Sequence, residues 1–156
     1  MILAVKMRKR IQLECIVFRK NKSKHEYLLL KRIPAKGGFW QPPCGGMEDT
    51  DKTKLDAAHR EVFEETGISK GKILRVIENV HYFVMSKHYL TNEPMEPVEE
   101  FVLGFEVKSD AEIDIAKNNC AEHEEYRWVS FEEAIKLLKW ENNKDAFRKL
   151  KKVLDN

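Results

Sequence analysis

Three glutamates, Glu61, Glu64 and Glu65, stand at i, i+3 and i+4. On a helix of 3.6 residues per turn they share one face, with neighbouring Cβ atoms roughly 5–6 Å apart. Like charges at that spacing cost an isolated helix roughly 0.2–0.5 kcal/mol per pair. A hard divalent cation offsets the cost. Mg2+ takes carboxylate oxygens in octahedral geometry and keeps room for waters and substrate phosphates. The competing reading is a solvated acidic face on which Arg60 pairs Glu64 at i, i+4. The flanks favour a ligand. Gly45-Gly46 lets backbone approach a bound group closely, and Gly67 ends the helix just past the acidic cluster.

The elements that must position these carboxylates follow from hydrophobic spacing. The acidic helix is expected from about Asp51 or Thr53 to Thr66, with Leu55, Ala58, Val62 and Phe63 on its apolar side. Upstream, the β-branched and apolar run Arg10 to Arg19, the polar turn Lys20 to His25 and the apolar run Tyr27 to Leu30 predict a hairpin. Phe39-Trp40-Gln41, bracketed by Gly37-Gly38 and Pro42-Pro43, reads as a short strand or loop. Downstream, Ile73 to Val84, Phe101 to Val107 and Glu125 to Val129 read as strands. Ser86 to Val98, polar and carrying Pro94 and Pro97, reads as a long loop or irregular extension. Ser130 and Glu133 have capping-box spacing and open a helix through Leu138. A last helix runs from about Asn142 to Leu154, with Ala146, Phe147, Leu150, Val153 and Leu154 on its apolar side. Strands mixed with helices indicate an α/β sandwich.

Composition excludes several classes. A chain of 156 residues is about one domain's worth, and 42% hydrophobic with 35% charged residues suits a folded globular protein. Lys and Arg total 28 against 26 Asp and Glu, a net charge of +2, whereas a dedicated nucleic-acid binder needs a clear basic excess. No apolar run approaches the ~20 residues of a spanning helix. The start, MILAVKMRKR, places its basic residues after the apolar ones, the reverse of a secretory signal. Cys15, Cys44 and Cys120 are odd in number and widely spaced, which fits a reducing compartment and no zinc knuckle. A single-domain cytoplasmic protein over 1–156, monomer or homodimer, is the expectation.

Taken together, Gly46, Arg60, Glu61, Val62, Glu64, Glu65, Gly67 and Ile68 stand in the register of the Nudix box, G-x5-E-x7-R-E-U-x-E-E-x-G-U, where U is bulky and aliphatic. The segment thus resembles the Nudix hydrolase superfamily. That resemblance implies an α/β/α sandwich with a mixed β-sheet and hydrolysis of a phosphoanhydride bond. It implies metal binding (Mg2+, with Mn2+ possible) by Glu61, Glu64, Glu65 and a backbone carbonyl near Gly45 or Gly46. Arg60 would orient the glutamates. One position departs: Lys52 stands where the box has its first Glu. Asp56, at i, i+4 from Arg60, is expected to take over the pairing, with Asp49 and Asp51 nearby.

Further segments extend the resemblance. Phe39-Trp40-Gln41 before Gly45-Gly46 looks like the strand leading into the box. Glu99-Glu100-Phe101 and the run 121–128, Ala-Glu-His-Glu-Glu-Tyr-Arg-Trp, are similar to the dihydroneopterin triphosphate pyrophosphatase subgroup and to dinucleoside-tetraphosphate hydrolases. In those relatives the counterpart of Glu122 is proposed as a metal ligand or general base, so Glu122 or Glu64 would take the proton from water. His123, Glu124 and Glu125 are further candidates. Arg32 would contact a phosphate. Phe39 and Trp40 would stack on a base or pterin ring, with Gln41 beside them, and loops 34–44 and 86–98 would set substrate choice. The implied substrate is a nucleoside or pterin triphosphate, cleaved to monophosphate and pyrophosphate. The alternatives are a dinucleoside polyphosphate, a nucleotide-sugar, or a non-catalytic nucleotide-binding module, which Lys52 alone favours. His25, His81, His88, Trp128, Trp140 and the basic C-terminal helices are read as surface or packing residues.

Overall fold

A computed structural model describes residues 10–117 and 122–156. Cys120 and Ala121 lie outside the described residues, as does the basic start of the chain. β1 (Arg10–Asn21) turns tightly into β2 (Lys24–Arg32), with Phe18 opposite Tyr27 and Asn21 opposite Lys24. The predicted hairpin is present, but its strands run on through the polar residues and leave a shorter turn, with Lys22 at φ 60°. Then come β3 (Trp40–Gln41), β4 (Cys44–Gly46), β5 (Ile73–Lys87), β6 (Pro94–Val107) and β7 (His123–Val129). They form one mixed sheet in the order β3-β2-β1-β6-β5, with β4 also on β1 and β7 on β2. Only the β1–β6 pairing is parallel among the described strands.

The centre of β1 is buried on both faces, which explains its nearly unbroken apolar run. Leu13, Cys15 and Val17 pack towards α1 (Lys54–Thr66). Ile16 and Phe18 pack towards α2 (Phe131–Leu137) and α3 (Glu141–Leu154). This is the expected α/β/α sandwich with a mixed sheet. No described helix is long and apolar enough to cross a membrane.

α1 starts where Thr53 Oγ1 accepts from the Asp56 N–H at 3.1 Å. It ends at Gly67, whose φ of 76° suits glycine and whose N–H donates to Phe63 O at 2.8 Å. Ala57, Ala58 and Val62 are its buried stripe, whereas Phe63, one residue further round, is 48% exposed. Ser130 caps α2 by accepting from the Glu133 N–H at 3.2 Å. α3 buries Ala146, Phe147 and Leu150, but Val153 of the predicted apolar side stays exposed.

The predicted 86–98 loop is largely sheet. β5 and β6 pair out to Met85–Val98 and Lys87–Pro94, leaving a turn between them. Pro94 opens its strand, and Pro97 falls where the ladder shifts register, the two places where a missing N–H is tolerated.

Candidate active site

Two carboxylates of α1 lie against the backbone of β4. A Cβ on Gly45 would sit 2.1 Å from the carboxyl carbon of Glu61, so a side chain there would displace that carboxylate. The Cys44 N–H donates to Glu65 Oε2 at 2.9 Å. Glu61 and Glu65 are both buried. Burial pushes the Glu65 pKa well above the usual carboxylate range, with the Cys44 N–H opposing and Glu61 and Glu122 adding repulsion. Burial also raises Glu61, against the Arg60 hydrogen bond.

Arg60 organises the other side of the helix. Its Nε and Nη2 hold the two oxygens of Asp51 at 3.0 and 2.8 Å, a bidentate pair. Its Nη1 donates to Glu61 Oε1 at 2.9 Å and Glu64 Oε2 at 3.1 Å, and Nη2 also donates to Gly46 O at 3.0 Å. The carboxylate that compensates for Lys52 is therefore Asp51, not Asp56. Asp51 is held in reach because its Oδ2 accepts from the Glu48 N–H at 2.8 Å, while Asp56 heads the first turn of α1. Lys52 itself is exposed. The three glutamates differ in burial. Glu61 and Glu65 point inwards, and Glu64, with its side chain 46% exposed, is drawn to Arg60 at the rim.

A second element closes the site. Ile33 N–H donates to Glu122 O at 3.0 Å, tying the chain ahead of β7 to the end of β2. Ligand atoms of Glu65, Glu122 and His123 lie within 4.8 Å of one another. Burial, then the Arg32 charge, pulls the His123 pKa down to about 4, so the imidazole is neutral at ordinary pH. His123 Nε2 pairs with Gln41 Nε2 at 3.1 Å. Glu124 and Glu125 turn elsewhere, to Lys31 at 3.3 Å and Arg127 at 3.2 Å. Hard carboxylate oxygens crowded into a buried corner, with a neutral imidazole beside them, suit a divalent cation, whose charge would relieve the repulsion that raises Glu65.

Cations and rings flank this acidic corner. Lys36 Nζ pairs with Glu122 Oε1 at 3.3 Å. Arg32 donates through Nε to Lys36 O at 3.2 Å and through Nη2 to Tyr89 Oη at 3.5 Å, and it lies over the rings of Phe39 and Tyr89. Arg32, Phe39, Gln41 and Cys44 line a cavity of about 410 Å³. Trp40 does not line it. Adjacent residues of a strand point to opposite faces, so Trp40 packs on the second core with Arg127 4.7 Å from its ring. Trp140, read as packing, meets Phe39 edge-on at 4.4 Å and also lines the cavity.

Sequence reasoning missed Lys36, Tyr89, Glu14 and Asn143. Glu14 had a signal, since a charge inside the apolar run of β1 is unusual for a strand buried on both faces. Lys36, Tyr89 and Asn143 had none, because each is an ordinary polar residue until folding brings it to the cavity.

Residues 9–150 match the NUDIX domain family, and the chain belongs to it. It is 29% identical over 139 residues to an RNA pyrophosphohydrolase of Pelagibacter ubique, a match covering 84% of this chain and 86% of that protein. It is 34% identical over 122 residues to the asymmetrical bis(5'-nucleosyl)-tetraphosphatase of Rattus norvegicus, covering 76% and 74%. Its fold resembles that of the E. coli dihydroneopterin triphosphate pyrophosphohydrolase with a TM-score of 0.71 at 20% identity, over 94% and 96% of the two chains.

Proposed function

We propose that this chain, acting as one Nudix domain over 1–156, is a Mg2+-dependent pyrophosphohydrolase in which Mn2+ can substitute. Hydrolysis of phosphate anhydrides is the activity of the class to which it belongs. Its substrate is a nucleoside or pterin triphosphate, cleaved to monophosphate and pyrophosphate, or a related nucleoside diphosphate-linked compound. The observation that carries this reading is the corner where Glu65, Glu122 and His123 converge, with Glu61 beside them and Arg32 and Lys36 at its edge.

Glu61 and Glu65, with Glu64 and a carbonyl of Gly45 or Gly46, would hold divalent cations, which would neutralise charge on the anhydride and make a nearby water more acidic. The protein's own residues do the rest. Arg32 and Lys36 hold the phosphate chain, and Phe39 packs on the ring attached to it. Arg60, clamped by Asp51, fixes Glu61 and Glu64 and is a positioning residue. Glu122 takes the proton as the water oxygen attacks phosphorus and the bridging P–O bond breaks towards the departing phosphate. Glu64 is the alternative base; each candidate has one oxygen on a cation, Glu122 on Lys36 and Glu64 on Arg60, and Glu122 is the one that converges with Glu65 and His123.

A dinucleoside polyphosphate is the second reading, favoured by the likeness to the rat tetraphosphatase. The non-catalytic reading rested on Lys52, and Asp51 supplies the carboxylate missing there. A cytoplasmic setting goes with this reading.

The test is phosphate and pyrophosphate release with Mg2+ or excess EDTA. The panel holds dihydroneopterin triphosphate, the common nucleoside triphosphates, diadenosine tetraphosphate and a short RNA bearing a 5'-triphosphate. Turnover of at least one, lost in EDTA, is expected. No turnover of any, or turnover indifferent to EDTA, overturns the reading.

A further inference from the structure

The cavity that begins at Arg32 and Phe39 runs back to two buried carboxylates that the proposed hydrolysis does not use, Glu14 and Glu100. Glu14 stands on β1 and Glu100 on β6, where Val102, two residues further on, is the partner of Glu14. Their relative exposures are 1% and 3%. Asn143 of α3 donates to Glu14 Oε1, but Glu14 Oε2 has no hydrogen-bond partner. A buried carboxylate oxygen without a donor is unfavourable, and a fold that keeps one at a cavity has a place for the donor a ligand brings. Phe39, Phe83, Tyr89 and Trp140 also line the cavity. At about 410 Å³ the volume suits a fused heterocycle.

We propose that Glu14 and Glu100 read the heterocycle of the substrate, accepting the two adjacent N–H groups of a 2-amino-4-oxopyrimidine edge, the edge shared by guanine and the pterins. This rests on the hydrolase reading above and names the substrate class of that same site. A carboxylate accepts two parallel N–H bonds from such an edge much as it does from a guanidinium fork. Adenine and cytosine place one donor beside an acceptor, and uracil has a single N–H between two acceptors, so each would leave a buried oxygen unpaired. Burial and the nearby Glu100 raise Glu14 against the Asn143 hydrogen bond, and burial raises Glu100 to about 7 against a hydrogen bond from the Cys44 side chain. The pair can therefore keep one proton, available to the carbonyl oxygen of the same edge. The reading site joins the hydrolytic one through Cys44, which lines the cavity while its N–H holds Glu65, and through Gln41, which lines it while pairing with His123.

The test is calorimetric binding of guanosine, inosine and adenosine monophosphates and of neopterin, without metal, to the full chain and to Glu14→Gln and Glu100→Gln. Inosine lacks only the exocyclic amine. The wild type is expected to bind the guanosine compound at least about tenfold more tightly than the inosine one. That ratio falls to within about threefold in whichever variants melt as folded proteins. The tighter of guanosine monophosphate and neopterin identifies the source of the edge. Equal wild-type affinities for guanosine and inosine, or an unchanged ratio in a folded variant, would overturn the proposal. Binding is read without turnover, so a failed hydrolase reading leaves this result interpretable. Metal-dependent hydrolysis with no guanosine preference sinks only the base-reading site.

Discussion

Glu61 with Glu65, and Glu14 with Glu100, are two buried carboxylate pairs on opposite sides of β1 and β4, and burial raises the pKa of all four. Their neighbours set them apart. The α1 pair receives the Arg60 guanidinium on Glu61, the Cys44 N–H on Glu65 and the nearby charge of Arg32. The strand pair has two neutral partners, the Asn143 amide on Glu14 and the Cys44 side chain on Glu100, and shares its cavity with aromatic rings. Arginine and backbone donors hold the first pair in a crowded arrangement suited to a cation. The second has one oxygen, Glu14 Oε2, without a donor in a cavity lined by rings and polar side chains, where it keeps a proton and meets neutral N–H groups. Burial marks a carboxylate as a candidate for function, and its partners decide which function.

The harshest way to break this contrast is to remove one member of the proposed metal pair. Glu65→Gln should lower kcat on the order of 10²–10³-fold, read by pyrophosphate release. Its melting temperature should not fall, since a neutral amide replaces a buried and repelled charge. A variant with near wild-type kcat would remove Glu65 from the site. Next is the clamp. Asp51→Ala frees Arg60 from its bidentate partner and should cost about 10–100-fold in kcat with little change in KM, as loss of a ligand-orienting group does. Asp56→Ala, tested beside it, should lose far less, and the reverse ranking would restore Asp56 to the pairing role.

Much of the candidate metal corner was legible from sequence. The register of Gly46, Arg60, Glu61, Glu64, Glu65 and Gly67 is local, and a helix turns local spacing directly into geometry, as the Thr53 and Gly67 caps illustrate. What failed needed distant contacts. Asp56 looked right by helical spacing, but Asp51 reaches Arg60 because the loop from Glu48 folds back on itself. The 86–98 segment looked like a loop from its prolines, yet pairing with β5 carries β6 through them. Trp40 and Phe39 are neighbours in sequence, yet one ring enters the core and the other lines the cavity. Glu14 was visible as an intruding charge, while its partnership with Glu100 needs the β1–β6 crossover.

The strand pair makes its own prediction against pH. Glu100 is raised from an ordinary value of 4.5 to about 7, facing Glu14 from β1 and Cys44 from β4. A carboxyl raised in the folded state binds its proton more tightly there than in the unfolded chain. The stability it contributes is complete below about pH 4.5 and is lost as pH rises through about 7. Glu100→Gln should therefore match the wild type in denaturant unfolding near pH 4.5, apart from acid effects elsewhere that both share. At about pH 8 it should exceed the wild type by on the order of 2 kcal/mol. Equal stabilities at both pH values would mean that the pair carries no shared proton. The smallest effect is expected at the box departure. Lys52→Glu should change kcat by less than about threefold, because Asp51 already pairs with Arg60 and position 52 is exposed. A large gain would mean that Asp51 is a poor substitute.

The most direct test of the division of labour is Mn2+ binding followed by electron paramagnetic resonance, without nucleotide, on wild type, Glu65→Gln and Glu14→Gln. The account predicts at least about tenfold weaker Mn2+ binding in Glu65→Gln and an affinity within about twofold of wild type in Glu14→Gln. Undiminished binding in Glu65→Gln, or an equal loss in Glu14→Gln, would contradict it.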